Sequence, residues 1–348
     1  MYDPQTTLDQ VKDYYGKVLS SQKDLKTSAC CTTDALPLKH RQILGQIEDE
    51  ILAKFYGCGS PIPPAIEGCT VLDLGSGTGR DVYLASALVG EAGRVIGVDM
   101  TDEQLEVARR HVATMTERFG YARPNVEFRQ GYIEDLAGAG IGDNSVDLVI
   151  SNCVINLSPD KERVFSEIFR VLKPGGELYF SDVFAGRRVP DEIRKDPVLH
   201  GECLAGALYI EDFRRLLQRL GCADYRQMSC RRIELNNPEL EAKAGMIDFY
   251  SMTVRAFKLD CLEDICEDYG QVAIYKGTIE DHPHHFDLDD HHRFITGKPL
   301  LVCGNTAAML QQTRFAPHFE IIGDRSVHYG PFDCKPVTEP PQNAGGCC

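Results

Sequence analysis

The feature that most constrains this chain is the stretch Val71-Leu72-Asp73-Leu74-Gly75-Ser76-Gly77-Thr78-Gly79-Arg80-Asp81. An apolar run leads into an acid, three glycines follow on alternate positions, and a helical pattern starts behind them. Glycine at a strand-to-helix turn takes positive φ without steric cost and lets the backbone approach a ligand closely. The spacing is GxGxG; the dinucleotide fingerprint GxGxxG would need glycine where Arg80 stands. A second acid, Asp99, closes the next apolar run, Arg94-Val95-Ile96-Gly97-Val98. A carboxylate there is placed to accept hydrogen bonds from ribose hydroxyls. A glycine-rich turn without a ligand is the plain alternative, and the agreement of turn, acid and helix weighs against it.

Hydrophobic periodicity then alternates along the chain. Cys69 to Leu74 reads as a strand, and Val82, Ala85, Leu88 and Val89 share one helix face. Val95 to Val98 is a second strand, and Leu105, Ala108, Val112, Met115 and Phe119 predict one amphipathic helix. Val126 and Phe128 mark a third strand and Val146 to Ile150 a fourth. Val164, Ile168 and Leu172 predict a helix stopped by Pro174-Gly175-Gly176, with Glu177 to Phe184 as a fifth strand behind it. Phe213, Leu216, Leu217 and Leu220 form another helix, ended by Gly221. Strands alternating with helices imply βαβ units, hence an α/β fold with a mainly parallel sheet and helices on both faces. Ligands of such sheets sit at the carboxyl ends of the strands, where Asp73, Asp99 and Ser151-Asn152-Cys153 all fall. Tyr225 to Leu235 and Phe249 to Leu259 read as a closing strand pair. After about residue 260 the pattern becomes irregular, and the tail beyond Pro336 is rich in Pro, Gly, Asn and Gln, the composition of a mobile segment.

With 348 residues, 43 % hydrophobic and 26 % charged, the chain has room for about two domains. Its net charge of −15 argues against a nucleic-acid partner, because phosphate backbones are bound through Lys and Arg. No apolar h-region opens the sequence and no apolar run of about 18 residues interrupts it, so the expectation is a soluble cytoplasmic protein without a membrane anchor. Fourteen cysteines are then mostly thiols: core residues, soft-ion ligands or redox groups. Two vicinal pairs stand out, Cys30-Cys31 and Cys347-Cys348.

Asp73-Leu74-Gly75-Ser76-Gly77-Thr78-Gly79-Arg80-Asp81, Ser151-Asn152-Cys153-Val154-Ile155-Asn156-Leu157, Leu172-Lys173-Pro174-Gly175-Gly176 and Gly201-Glu202-Cys203 together resemble the arsenite S-adenosylmethionine methyltransferases. Phe55-Tyr56-Gly57-Cys58-Gly59, and Cys30 ahead of Thr32-Thr33, match the same family. The glycine turn and Leu-Lys-Pro-Gly-Gly are shared with many methyltransferases; the cysteine contexts give the resemblance its specificity. It spans roughly residues 10 to 260 and is faint beyond, apart from the terminal Gly-Gly-Cys-Cys.

The resemblance implies a class I, Rossmann-like S-adenosylmethionine methyltransferase sheet with a cysteine-bearing cap. Asp73 and Gly79 belong to its cofactor turn. Gly75, Ser76 and Gly77 would line the methionine part, Asp99 and Gln104 would hold the ribose, and Met100, Ile133 and Glu134 would enclose the adenine. Asn152 and Tyr56 would lie near the sulfonium. Cys58, Cys153 and Cys203 would hold one trivalent arsenic atom, a soft ion suited to thiolates. Cys30 would partner Cys58 in returning oxidised arsenic to the trivalent state, with glutathione or thioredoxin resetting the thiols.

The implied domains are a helical cap over 1–67, a methyltransferase domain over 68–258 with an arsenic-binding insertion around 185–211, a C-terminal domain over 259–335 and a flexible Cys-ending tail over 336–348. Nothing demands more than a monomer. Three other readings compete: methylation of a small organic acceptor such as a quinone precursor, a non-enzymatic thiol protein that sequesters arsenic or metals, and a zinc protein. The zinc reading is weak, because Cys261 and Cys266 lack a partner pair at ordinary spacing. His282, His284, His285, His291 and His292, with Asp281, Asp287, Asp289 and Asp290, could gather a divalent metal; a solvated polar loop is the simpler expectation.

Overall fold

The computed structural model describes residues 12, 36–53, 57, 61–196, 199 and 203–334. The predicted site residues Cys30, Tyr56 and Cys58, and the cysteines 31, 347 and 348, lie outside these residues. The chain divides into two compact units, Met1–Asp260 and Cys261–Cys348.

The first unit opens, among the described residues, with helices Leu38–Leu44 and Asp49–Ala53. Strand β1 (Thr70–Leu74) runs through the glycine turn into helix Arg80–Val89 and then β2 (Arg94–Asp99). Helices Asp102–Arg110 and Val112–Arg118 lead to β3 (Val126–Gln130) and β4 (Val146–Asn152). Helix Lys161–Val171, β5 (Leu172–Ala185), β6 (Leu208–Tyr209), helix Ile210–Arg219, β7 (Tyr225–Arg232) and β8 (Phe249–Phe257) follow. The strands form one sheet in the order β3-β2-β1-β4-β5-β8-β7, with β6 added beside the end of β5. β1 to β5 pair in parallel, whereas β8 lies antiparallel to β5 and β7 antiparallel to β8. The chain winds outward from β1 to β3 and then returns to β4 on the other side of β1. That reversal opens a crevice at the carboxyl ends of β1 and β4.

Both faces of the sheet are buried, as parallel sheets require. Leu72, Leu74 and Val149 enter one apolar cluster with Phe165, Phe180 and Phe213; their neighbours Val71, Leu148 and Ile150 enter another with Val82, Val95 and Tyr179. Within β5, Glu177 Oε1 meets Arg255 Nε of β8 at 2.5 Å with both side chains fully buried. The guanidinium carbon also lies 5.3 Å from the ring centre of Tyr179 and 5.4 Å from that of Phe257.

Two elements differ from the sequence expectation. The single helix predicted from Leu105 to Phe119 is divided at His111, which at φ −94° and ψ 0° stands at the edge of the helical region, closing one helix and opening the next. His111 Nε2 instead bonds Glu50 at 2.7 Å, while Leu105, Ala108 and Met115 keep their buried stripe. The stop Pro174-Gly175-Gly176 lies inside β5, which starts at Leu172. Gly175 N donates to Lys258 O at 2.8 Å and Lys258 N to Gly176 O at 2.9 Å, so backbone pairing extends the strand through residues that propensity would exclude.

The second unit is built of short strands: β9 (Glu267–Asp268), β10 (Gln271–Tyr275), β11 (His285–Asp287), β12 (Arg293–Ile295), β13 (Pro299–Val302), β14 (Phe319–Ile322) and β15 (Gly330–Pro331). β13, β10 and β14 make an antiparallel sheet, and helix Gly304–Gln311 follows β13. Tyr275, Phe286, Phe315 and Phe319 form its core, with ring centres 5.1 Å apart for Tyr275–Phe319 and 4.9 Å for Phe286–Phe315. Strands of two to five residues give too few alternations to register as a period, which is why the sequence here reads as irregular. The His/Asp run contains β11, which pairs with β12; Asp281, His284 and Asp290 lie outside the strands and are exposed. Asp289 and His292 are buried in its turn, where Asp289 accepts from the backbone N–H of His292 at 2.7 Å and meets His292 Nδ1 at 2.8 Å. Among the described residues no helix is long and apolar enough to cross a membrane.

Candidate active site

The carboxyl ends of β1, β2 and β4 enclose a cleft with about 990 Å³ of empty space, continuous with solvent. Its cofactor-like side is made by the glycine turn. Gly75, Gly77 and Gly79 all have positive φ, at 69°, 52° and 88°. A Cβ on Gly75 would come within 2.5 Å of the Val154 side chain, so glycine is required there by space as well as by conformation. The N–H groups of Gly75 and Ser76 both donate to Val98 O, at 2.8 and 3.0 Å, which folds the turn back onto β2. Thr78 Oγ1 donates to Ile51 O at 2.8 Å and fastens the turn to helix Asp49–Ala53.

Asp99 Oδ2 accepts from Gly77 N at 2.9 Å and its Oδ1 from Thr101 N at 2.8 Å. Burial raises its pKa, and these backbone donors oppose the rise. Asp73 lies deeper, its pKa raised well above the ordinary carboxylate value by burial first and then by Asp81 and Asp99, with Arg80 opposing. Arg80 Nη1 donates to Asp81 Oδ1 at 2.8 Å, and Asn152 Nδ2 donates to Asp81 Oδ2 at 3.0 Å, so Asp81 orients the amide at the end of β4. Glu134 accepts a hydrogen bond from Ser158 Oγ.

Of the predicted cofactor residues, Asp73, Gly75, Ser76, Gly77, Asp99, Met100, Gln104, Ile133, Glu134 and Asn152 line the cleft. Gly79 is not among the lining residues; it caps helix Arg80–Val89, and a Cβ there would come within 2.8 Å of the Phe128 ring. The chemistry of the set suits a charged nucleoside. Met100 and Ile133 offer apolar contact, Asp99 and Glu134 offer acceptors, and Ser76 Oγ is buried with no partner among the described residues.

The end of β4, beside the glycine turn, carries the first of the predicted thiols. Cys153 directly follows β4 and lines the cleft, and Cys203 Sγ donates to Cys153 O at 3.2 Å. Both cysteines hold left-handed backbone, at φ 57° and 63°. Such strain in residues other than glycine persists only where the surroundings enforce it. Here Cys153 N donates to Ser181 O at 2.8 Å, and Asn156 Nδ2 donates to Val183 O at 2.5 Å and to Asp182 Oδ1 at 2.7 Å, with Cys203 O at 3.5 Å. Gly206 lets the Cys203 segment press onto this residue, since a Cβ there would meet Asn156 O at 1.9 Å. Cys203 is fully buried and Cys153 nearly so. Cys153, expected as a thiolate ligand, is disulfide-bonded.

Asp182 and Lys161 went unread in the sequence, and Asn156 entered it only within the Ser151–Leu157 motif. Burial raises the pKa of Asp182 to about 7, against donors from Val183 and Asn156 and the charge of Lys161. Burial of its ammonium lowers the pKa of Lys161 to about 8, with Asp182 opposing. Lys161 Nζ donates to Ser158 O at 2.9 Å. Asn156 is the residue that ties Asp182 to the Cys203 segment. The available signal was a single acid inside the apolar run Leu178 to Ala185.

Residues 66–221 match a methyltransferase domain family, and residues 269–348 match the arsenite methyltransferase C-terminal domain family. An arsenite methyltransferase from Aquipseudomonas alcaligenes is 55 % identical over 325 residues, covering 93 % of each chain. The human arsenite methyltransferase is 43 % identical over 340 residues, covering 97 % of this chain and 86 % of its own. The crystal structure of an arsenic (III) S-adenosylmethionine methyltransferase from Chlamydomonas reinhardtii superposes with a TM-score of 0.83 at 57 % identity, over 86 % of this chain and all of that one. The sheet order, the glycine turn and matches reaching into both compact units converge: the fold is a class I Rossmann-like methyltransferase, and the chain belongs to the arsenite methyltransferase family.

Proposed function

We propose that this enzyme methylates trivalent arsenic with S-adenosylmethionine as donor, and that Cys58, Cys153 and Cys203 are the thiolates that hold the arsenic. The observation that supports the residue assignment is the contact of Cys203 Sγ with the carbonyl of Cys153, which lines the same cleft as the glycine turn. When bound, S-adenosylmethionine supplies an electrophilic methyl carbon already activated by its sulfonium. The chain's own task is to place two reactants, and orientation of this kind is worth about 7–11 kcal/mol. Gly75, Ser76 and Gly77 let the backbone approach the methionine part, Asp99 and Gln104 hold the ribose, and Met100, Ile133 and Glu134 receive the adenine. Asn152, held by Asp81, and Tyr56 face the sulfonium end.

Three thiolates leave trivalent arsenic with its lone pair directed away from the sulfurs, and that pair is the nucleophile. No general base is needed, because no O–H or N–H is broken. The near-complete burial of Cys153 and Cys203 keeps water from the arsenic. Methyl transfer formally oxidises arsenic to the pentavalent state. Cys30 and Cys58 return it to trivalent by forming a disulfide, two thiolate electron pairs giving two electrons to arsenic and one S–S bond. Glutathione or thioredoxin then reduces that bond by exchange, in a cytoplasmic, monomeric enzyme. The disulfide at Cys153 supports a thiol cycle at this site, since Cys153 can ligate arsenic only after reduction.

The test is arsenite-dependent formation of S-adenosylhomocysteine with thiols present, for the wild type, Cys153→Ser and Cys203→Ser. Turnover in the wild type and a loss of at least a hundredfold in both variants is the expected result. Full turnover in either variant would remove that cysteine from the arsenic site, and survival of Cys153→Ser without arsenite dependence would favour an organic acceptor.

A further inference from the structure

The C-terminal unit contains a second set of three sulfurs. The Sγ atoms of Cys266, Cys303 and Cys334 all lie within 4.8 Å of one another. They come from three separate places in the fold. Cys266 immediately precedes β9, and Cys334 follows β15. The antiparallel pairing of Gly330 with Asp268 and Pro331 with Glu267, continued by Phe332 N donating to Cys266 O at 2.8 Å, carries Cys334 back to Cys266. Cys303 is the N-cap of helix Gly304–Gln311, fully buried, with Thr306 N donating to its sulfur at 3.5 Å. A backbone N–H at a helix start favours the thiolate there. Cys266 and Cys334 are half-buried, so the cluster has one closed side and one accessible side.

We infer that Cys266, Cys303 and Cys334 form a second binding site for trivalent arsenic, separate from the thiols of the methyltransferase domain. All three donors are sulfur, and among the described residues no imidazole or carboxylate joins the set. A structural zinc site requires four ligands in a tetrahedron. Trivalent arsenic takes three, its lone pair occupying the fourth direction, and soft thiolates select it over hard cations. The reaction is a ligand exchange without redox change. One arsenous acid loses three As–O bonds, gains three As–S bonds, and the three thiol protons leave with the hydroxyls as three waters. This inference does not depend on which thiols serve methyl transfer.

The experiment uses the full chain, reduced and then desalted, with retained arsenic counted by mass spectrometry after exposure to arsenite. In the Cys153→Ser/Cys203→Ser background, one arsenic per chain is expected to remain, bonded to three sulfurs in X-ray absorption. Adding Cys334→Ser, or independently Cys266→Ser, should abolish that retention, while Cys334→Ser alone keeps methylation within twofold of wild type. Two variants at half-exposed positions guard against a folding defect at buried Cys303, and circular dichroism confirms the fold of each. Retention unchanged in both variants would overturn the site. One zinc per chain in the protein as isolated, lost in Cys334→Ser and not displaced by arsenite, would overturn the assignment to arsenic.

Discussion

In the glycine turn the left-handed backbone positions are glycines, Gly75, Gly77 and Gly79; in the segments that meet at Cys153 and Cys203 they are cysteines. Glycine adopts that conformation at no steric cost, whereas a residue with a Cβ loses about 1–2 kcal/mol. The cofactor side therefore holds its shape by local preference. The thiol side is held by its surroundings: Ser181 O under the Cys153 amide, Asn156 bridging Asp182 and the Cys203 segment, and Gly206 seated against Asn156. A left-handed cysteine presents its sulfur in a direction that an extended or helical one cannot. Backbone strain of this kind persists where the surroundings over-determine it, as these contacts do.

The largest effect that would break this comparison is expected at Cys203. Cys203→Gly gives the backbone the residue it would choose and removes only the sulfur. Turnover with arsenite should fall at least a hundredfold, while the melting temperature is no lower than that of Cys203→Ser. A glycine variant much less stable than the serine variant would mean that the position is not strained.

Gly75→Ala probes the other side and should cost about 1–3 kcal/mol, since it combines a positive φ with a collision against Val154. S-adenosylmethionine affinity by calorimetry should fall at least tenfold, and Val154→Ala should recover part of it. No recovery would assign the whole loss to backbone conformation.

The smallest effect concerns the polar support behind the thiols. Burial raises the Asp182 pKa to about 7, so the folded protein binds more protons there than the unfolded chain between about pH 4 and 7. The stability contributed by the neutral carboxyl is present below that window and is lost as pH rises through about 7. Lys161, lowered to about 8, acts oppositely: its cost is present below pH 8 and is relieved above it. The melting temperature of wild type relative to Asp182→Asn should therefore fall between pH 5 and 7. A constant difference would show that Asp182 is ionised throughout.

The same contrast explains what could be read from the residues. The glycine turn, Asp99 and the alternation of strands and helices obey local rules, and the structure follows them from β1 to β8. Cys203 was reachable only through family resemblance, because the segment around it has no period and its position depends on contacts with Asn156. Asp182 and Lys161 look like an odd acid and an ordinary surface lysine until the fold buries both charges together. Cys266, Cys303 and Cys334 sit at the ends of three short elements, and only the pairing of β9 with β15 reveals them as neighbours.

The buried pair Glu177–Arg255 holds β5 to β8 five residues before Asp182, and so about 17 Å along the strand from it. Charges confined in a dry interior tolerate no exchange of partner. A slip of β8 against β5 by one residue would turn Arg255 to the other face of the sheet, away from Glu177. The pair thus indexes the two strands, and the pairing of Asp182 with Met252 follows from it. The register that brings Asp182 opposite Met252 is thus tied to opposite charges five residues back along the same strand.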